Sequence, residues 1–195
     1  MNNKITTQPH FAQQLIAGLL QEDNAIEFFG VKDGQKVFFL QNGKSYPFKK
    51  LKPRLFALLQ NAYYEDVEAV KSIKQITNNH IRQVELYTYF CYGSLDCTPD
   101  INGDVLSPSE NFRHQQNCVS LNFISKNITI NGHTLLPREL TIIDMIANDA
   151  LDTAIAEALG ITVSTLGFHK RELFKKADCQ TKVSLLKKAM DENVL

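Results

Sequence analysis

Apolar residues recur with a helical period in the last third of the chain. After Pro137 they recur at Leu140, Ile143, Met145, Ile146 and Ala147, as on one face of a helix. The pattern predicts a helix that starts at Pro137, because proline lacks only an amide hydrogen that the first turn leaves unpaired. Asn148 and Asp149 tolerate the left-handed conformation that ends helices. A short second helix is predicted over residues 153–159, with Asp152 as its cap and Gly160 as its stop.

A third helix is predicted from the cap Thr162 to about Ala177. The short connection over residues 160–162 makes the second and third helices a helix-turn-helix. At about 100° per residue, Leu166, Leu173 and Ala177 form one stripe that faces the core. The opposite face carries a hydroxyl, an aromatic ring and two cations, which belong to Ser164, Phe168, Arg171 and Lys175. Gly167 and Glu172 lie on the flanks of this face.

These side-chain types suit the major groove of DNA. Cations neutralise phosphates, arginine reads guanine edges with two hydrogen bonds, and an apolar group contacts the thymine methyl. The chain has 21 Lys+Arg and 21 Asp+Glu, so its net charge is zero and any attraction to DNA must come from a local patch. Residues 163–176 supply a modest one, with a local net charge of +3. The plainer interpretation is a solvated helix face.

A set of spaced residues extends through this segment without a gap: Leu-Pro-Arg-Glu at 136–139, Ile146-Ala147, Ile155-Ala156-Glu157, Leu159-Gly160-Ile161, Thr165, His169, Arg171 and Lys176. Residues 135–186 thereby resemble the LuxR/FixJ-type helix-turn-helix. The resemblance implies that the third helix enters the major groove and that a fourth helix mediates dimerisation. It further implies base-facing and DNA-backbone-contacting positions, which are Gly167, Phe168 and Arg171 for the bases and Thr165, Lys170 and Lys175 for the backbone.

Three positions depart from that family's pattern. Leu136 stands where a Ser or Thr cap worth about 0.5–2 kcal/mol is usual. Gly167 offers no side chain to a base and costs about 1 kcal/mol inside a helix. Phe168 is larger than the usual aliphatic residue. Arg171 is therefore the main candidate for base recognition.

Upstream of residue 130 the period changes several times. Residues 8–21 have a weak helical pattern, and residues 26–48 predict a small antiparallel meander with turns at Asp33-Gly34 and Asn42-Gly43. Three helices are predicted over residues 55–59, 67–76 and 81–90, and a hairpin over residues 119–135 that turns at Ser125-Lys126. The fold class is an α+β domain over residues 1–130, followed by an all-α four-helix domain over residues 131–195.

The amino-terminal domain has no recognised input function. It lacks the acidic strand ends and downstream lysine of a phosphoreceiver, and the chain contains no tryptophan of the kind that lines acyl-homoserine-lactone pockets. The role of this domain is left open.

A loop-rich segment over residues 91–118 contains candidate metal ligands. Three thiols and one imidazole are the ligand types of a structural zinc site, namely Cys91, Cys97, His114 and Cys118. Their spacing is looser than in most zinc sites, so buried thiols with a surface histidine are the alternative. A cysteine–histidine nucleophile pair is the weaker third hypothesis, because no orienting residue is indicated. Residues 100–104 resemble the opening of a calcium loop but are predicted to form a turn.

The last predicted helix, residues 181–190 beginning at Thr181, has an apolar face, and one part of this face must cover the three-helix core. The family resemblance implies that the remainder pairs with a second copy. No signal peptide or run of about 18 apolar residues is present, so we expect a cytoplasmic protein without membrane contact. The sequence thus predicts a non-catalytic bacterial transcriptional regulator that binds double-stranded DNA. The alternative is a protein-interaction or structural module that retains the helix-turn-helix as a packing unit.

Overall fold

The computed structural model describes residues 15–195, which form two hydrophobic cores. The first core lies under a three-stranded antiparallel sheet in the order β1 (Glu27–Val31), β2 (Lys36–Gln41) and β3 (Lys44–Pro47). Asn42 and Gly43 connect β2 to β3 with φ values of 52° and 72°, the positive values that a tight two-residue hairpin turn requires. The predicted meander is confirmed.

Three helices cover one face of this sheet. They are α1 (Pro53–Glu65), α2 (Val67–Lys74) and α3 (His80–Tyr92), and α3 packs against β1, β2, α1 and α2. The largest buried side chains of the core come from the sheet and all three helices and include Phe28, Phe39, Leu59, Tyr63, Ile73, Leu86 and Tyr89. The three predicted helices are therefore confirmed, although α1, with 13 residues, extends well beyond the predicted residues 55–59.

The predicted helix over residues 8–21 is wrong where the structure describes it. Residues 8–14 lie outside the described range, and residues 15–21 form turns. Gly18 has a φ of +71°, and its amide donates to Asp23 Oδ2 at 2.7 Å. A left-handed residue in the middle of the segment interrupts any helix there.

Short irregular elements follow α3. The hairpin of β4 (Ile101–Asn102) and β5 (Val105–Leu106) turns at Gly103, which confirms the turn predicted for residues 100–104. A second hairpin, β6 (Thr129–Ile130) with β7 (His133–Thr134), turns at Asn131-Gly132.

The long hairpin predicted over residues 119–135 is wrong. Residues 119–122 form a 3-10 helix, and the predicted turn residues Ser125 and Lys126 are inward-facing anchors instead. The Ser125 hydroxyl donates to Asp66 Oδ2 at 2.7 Å, and the buried Lys126 ammonium donates to the carbonyl of Phe90 at 2.7 Å. Their polarity serves buried hydrogen bonds, which a sequence pattern does not distinguish from exposure.

Four helices build the second core: α4 (Pro137–Ala147), α5 (Asp152–Ala158), α6 (Val163–Lys176) and α7 (Lys182–Asp191). Their apolar faces meet around a set of fully buried residues that includes Ile142, Ile143, Ile155, Leu166, Leu173, Leu185 and Ala189. The predicted all-α arrangement is confirmed, and every helix begins and ends within two residues of its prediction. No helix within residues 15–195 combines the length and the apolar character that a membrane crossing needs.

A buried ion pair connects the two cores. The Arg113 guanidinium donates to both carboxylate oxygens of Asp144 in α4, at 2.9 and 2.7 Å, and its Nε donates to the carbonyl of Val194 at 3.0 Å. The Arg113 and Asp144 side chains are 5% and 11% exposed. The Asn111 side chain donates to the carbonyls of Thr129 and Glu192 at 2.9 and 2.8 Å. Residues 111–113 therefore connect the amino-terminal core to the four-helix unit through side-chain hydrogen bonds. The domain boundary near residue 130 stays a prediction.

We predict that Arg113→Ala lowers the free energy of unfolding by about 3–5 kcal/mol, because the Asp144 carboxylate then stays buried without its partner. Urea denaturation of the full chain measures this change. Arg54→Ala is the matched control, since Arg54 pairs with Asp104 on the surface and such pairs contribute about 0–1 kcal/mol. Equal losses in the two variants would show that the buried pair contributes nothing special.

Candidate nucleic-acid interface

The connection between α5 and α6 is fixed by backbone hydrogen bonds. Gly160 has a φ of 65°, its amide donates to the carbonyl of Glu157, and the amide of Ile161 donates to the carbonyl of Ala156, both at 3.0 Å. These two bonds form the Schellman motif that ends helices at a left-handed residue. The Thr162 hydroxyl then accepts from the Thr165 amide at 3.1 Å, which caps α6. The predicted stop at Gly160 and cap at Thr162 are both confirmed.

Asp152 does not cap α5, contrary to the prediction. Leu151 occupies the cap position without a side-chain bond, and Asp152 is the first helical residue. The Asp152 carboxylate accepts instead from the Lys170 ammonium of α6 at 2.8 and 3.0 Å. That hydrogen bond lowers the pKa of Asp152 below its usual range. The pair ties α5 to α6, which a search for local capping patterns does not detect.

The outward face of α6 carries the residues that the helical period placed there. Ser164, Phe168, Arg171 and Lys175 are exposed, and the Phe168 ring is 53% exposed although it is a large apolar group. A Cβ atom added at Gly167 would meet no other atom within 4 Å. The surface therefore offers a ring, a guanidinium and an ammonium beside an open strip of backbone.

The four cations of α6 fall into two pairs. Lys170 is bound to Asp152, and the Lys176 ammonium binds the Glu139 carboxylate at 2.6 and 2.8 Å and the carbonyl of Thr134 at 2.9 Å. Arg171 and Lys175 form no ion pair with any other residue in the range 15–195. The local charge of +3 expected from the sequence is thus partly neutralised inside the domain, and two cations are left to the surface.

Glu139 compensates for the missing cap at Leu136. Leu136 is the N-cap residue of α4 and has no polar side chain, as the sequence indicated. The buried Glu139 carboxylate accepts from the Leu136 amide at 2.7 Å while it also binds Lys176. The glutamate of the Pro-Arg-Glu sequence therefore joins the start of α4 to the end of α6.

A groove beside α6 contains two residues that the sequence reasoning did not single out. It is lined by Phe168 and Lys175 of α6, by Arg138 in the first turn of α4, and by His133 of β7. Arg138 and His133 are exposed. The Pro-Arg-Glu sequence is a local signal from which Arg138 could have been predicted. His133 has no such signal, because it reaches the groove through the β6–β7 hairpin, where a longer hairpin over residues 119–135 was predicted.

The structure does not gather the candidate zinc ligands Cys91, Cys97, His114 and Cys118. Within residues 91–118, all of which are described, no three of the four have ligand atoms mutually within 4.8 Å. Cys97 is exposed, and the Nδ1 of His114 is hydrogen-bonded to the Tyr89 hydroxyl at 2.7 Å. Burial raises the pKa of Cys91 to about 11, which favours its neutral thiol over the thiolate.

Comparison with known proteins identifies the helical part of the chain. Residues 133–189 match the family model of bacterial regulatory proteins, luxR family. No curated protein and no solved structure matches the chain. The matched range begins at β7, includes α4 to α6 and ends in α7. The carboxy-terminal part of this chain is therefore a LuxR-type helix-turn-helix domain.

Proposed function

We propose that the protein regulates transcription by placing α6 in the major groove of double-stranded DNA, where it recognises a specific sequence. The observation that supports this most directly is the division of the α6 cations. Two of them hold the domain together, and Arg171 and Lys175 lie on the outward face without an ion-pair partner among residues 15–195. Phe168 is exposed on the same face as Arg171, and these two side chains are of the kinds that contact thymine methyl groups and guanine edges.

Arg171 is the proposed base-reading residue. Its guanidinium has the fork geometry that binds the O6 and N7 atoms of guanine. Phe168, one turn earlier, is suited to contact a thymine methyl group. Gly167 adds no side chain, so we propose that the helix backbone approaches the DNA closely at this position.

The proposed phosphate contacts come from both ends of this surface. Lys175 and Arg138 lie on one groove, and Ser164 with Thr165 occupies the first turn of α6, where backbone amides and the helix dipole favour an anion. A phosphate contact by Lys170 requires its ammonium to leave Asp152. We therefore expect Lys170 to contribute less to DNA affinity than Lys175.

The proposed active form is a homodimer through α7. Leu185 and Ala189 of this helix are buried in the core, whereas Val183 and Met190 are 77% and 60% exposed. Apolar side chains left on the surface at a spacing of seven residues form a stripe that a second copy can cover. A twofold dimer would bind two half-sites about one helical turn apart. No catalytic step is part of this proposal.

Salt dependence of binding tests the DNA contacts. We predict that wild-type protein binds a duplex with an affinity that falls steeply with salt, and that Lys175→Ala makes the slope of log K against log salt shallower by about 0.9 per half-site, or about 1.8 for the dimer, because each subunit releases one counterion fewer. Arg171→Ala should reduce the preference for the bound site over a scrambled duplex by about 1–3 kcal/mol. Fluorescence anisotropy over a salt series measures both quantities.

Lys74→Ala is the matched control, since Lys74 is an exposed lysine of α2 and its removal changes the net charge equally. The control should leave the slope unchanged. Absence of binding at low salt in the wild type would contradict the proposal and favour a domain that serves protein contacts alone.

Sedimentation velocity tests the dimer. We predict that Val183→Asp converts a dimer to a monomer, because a carboxylate would be buried within the stripe without a partner. Val67→Asp is the control, an equally charged change at an exposed valine of α2, and it should leave the dimer intact. A wild-type monomer, or a Val183→Asp protein that remains dimeric, would overturn this interface.

A further inference from the structure

Three carboxylates from distant parts of the chain converge in the amino-terminal unit. They belong to Glu27 in β1, to Asp96 in the loop after α3, and to Glu110 in the segment that leads to Arg113. One carboxylate oxygen from each lies within 4.8 Å of the other two. We call these three residues the carboxylate cluster. The three residues lie far apart along the chain, so no local sequence motif indicates the cluster.

Backbone amides hold each carboxylate by one oxygen. Glu27 Oε1 accepts from the Asp96 amide at 2.7 Å, Glu110 Oε2 accepts from the Ser94 amide at 2.8 Å, and Asp96 Oδ1 accepts from the Thr98 amide at 2.6 Å. These bonds fix the three groups in place and leave the second oxygen of each for another partner.

Two of the second oxygens, Glu27 Oε2 and Glu110 Oε1, are buried and accept no hydrogen bond from an amide, hydroxyl or ammonium donor, although the Asp100 carboxyl group adjoins Glu110. The Glu27 side chain is completely buried, with 0% of its surface exposed. Leaving a buried carboxylate oxygen unpaired is unfavourable, so such an atom points to a ligand that supplies positive charge.

The surroundings of the cluster are predominantly acidic. Asp100 is a fourth buried carboxylate beside it, and the ammonium of Lys126, which donates to the carbonyl of Phe90, faces Glu110. A cation bound between the three cluster groups would relieve the repulsion among their carboxylates.

We propose that Glu27, Asp96 and Glu110 bind one hard divalent cation, Ca²⁺ or Mg²⁺. Carboxylate oxygens are the ligands that both ions prefer, and water completes the coordination shell of either ion. The available donors are all oxygen atoms, so a soft metal that prefers thiolate or imidazole is disfavoured.

The cation would stabilise the segment that holds the helix-turn-helix domain. Glu110 is followed directly by Asn111, and Arg113 comes two residues later; both bind carbonyls of the carboxy-terminal unit. The Glu110 amide also donates to the carbonyl of Cys91 at the end of α3. A cation at the cluster therefore joins β1, the loop after α3 and the start of the connecting segment. This site does not depend on the proposed DNA binding.

Thermal unfolding of full-length protein, treated with EDTA and then dialysed, tests the proposal. Addition of CaCl₂ or MgCl₂ should raise the melting temperature by roughly 5–10 °C at about 100 times the dissociation constant, relative to KCl at matched ionic strength. Comparison of the two salts identifies the preferred ion. Isothermal titration should give one site per chain. No shift and no binding heat with either ion would overturn the proposal.

Glu110→Gln and Glu27→Gln keep the side-chain shape and remove one charge each. Because they relieve repulsion, we expect both variants to fold with an unchanged or higher melting temperature in the absence of cation, and to lose at least most of the cation response. Glu65→Gln at the exposed end of α1 is the control and should respond like the wild type. A cation shift of wild-type size in both cluster variants would contradict the assignment of these ligands.

Discussion

The left-handed turn at Gly160 is the constraint on which the helix-turn-helix depends. The amides of Gly160 and Ile161 donate the two Schellman hydrogen bonds that end α5, and the next residue, Thr162, already caps α6. A Cβ atom at Gly160 would meet no other atom within 4 Å, so the demand on this residue is its φ of +65° and not lack of space. The fixed direction of α6 puts Leu166 and Leu173 in the core and leaves the opposite face outward.

Charge is used inside the domain as well as on its surface. The ion pairs of Lys170 and Lys176 hold α6 to α5 and α4, while the outward face retains Arg171 and Lys175. At the junction of the two cores, the buried Arg113 side chain likewise binds both the Asp144 carboxylate of α4 and the carbonyl of Val194. Net charge is zero, so these local arrangements, and not bulk attraction, set how the protein meets a polyanion.

Local patterns predicted what is locally determined. The meander, the seven helices and the outward face of α6 followed from periodicity, caps and turn residues, because these act over a few neighbouring positions. Long-range pairings were missed for the same reason: Lys170 finds Asp152 across the domain, and Lys126 turns inward to a carbonyl 36 residues away. The cysteines indicated a zinc site only because thiols are common zinc ligands. The carboxylates that do converge, such as Glu27 and Glu110, are too far apart in the sequence for any spacing pattern to indicate them.

Selection of bound duplexes from a random pool, with the purified full chain, measures whether α6 reads DNA sequence as part of a twofold pair. We expect enrichment of one motif with two related half-sites whose centres lie about 10–10.5 base pairs apart, or a multiple of that distance. Recovery of an unenriched pool, at a salt concentration where the protein still retains duplex DNA, would contradict it, since binding would then be electrostatic and without sequence recognition.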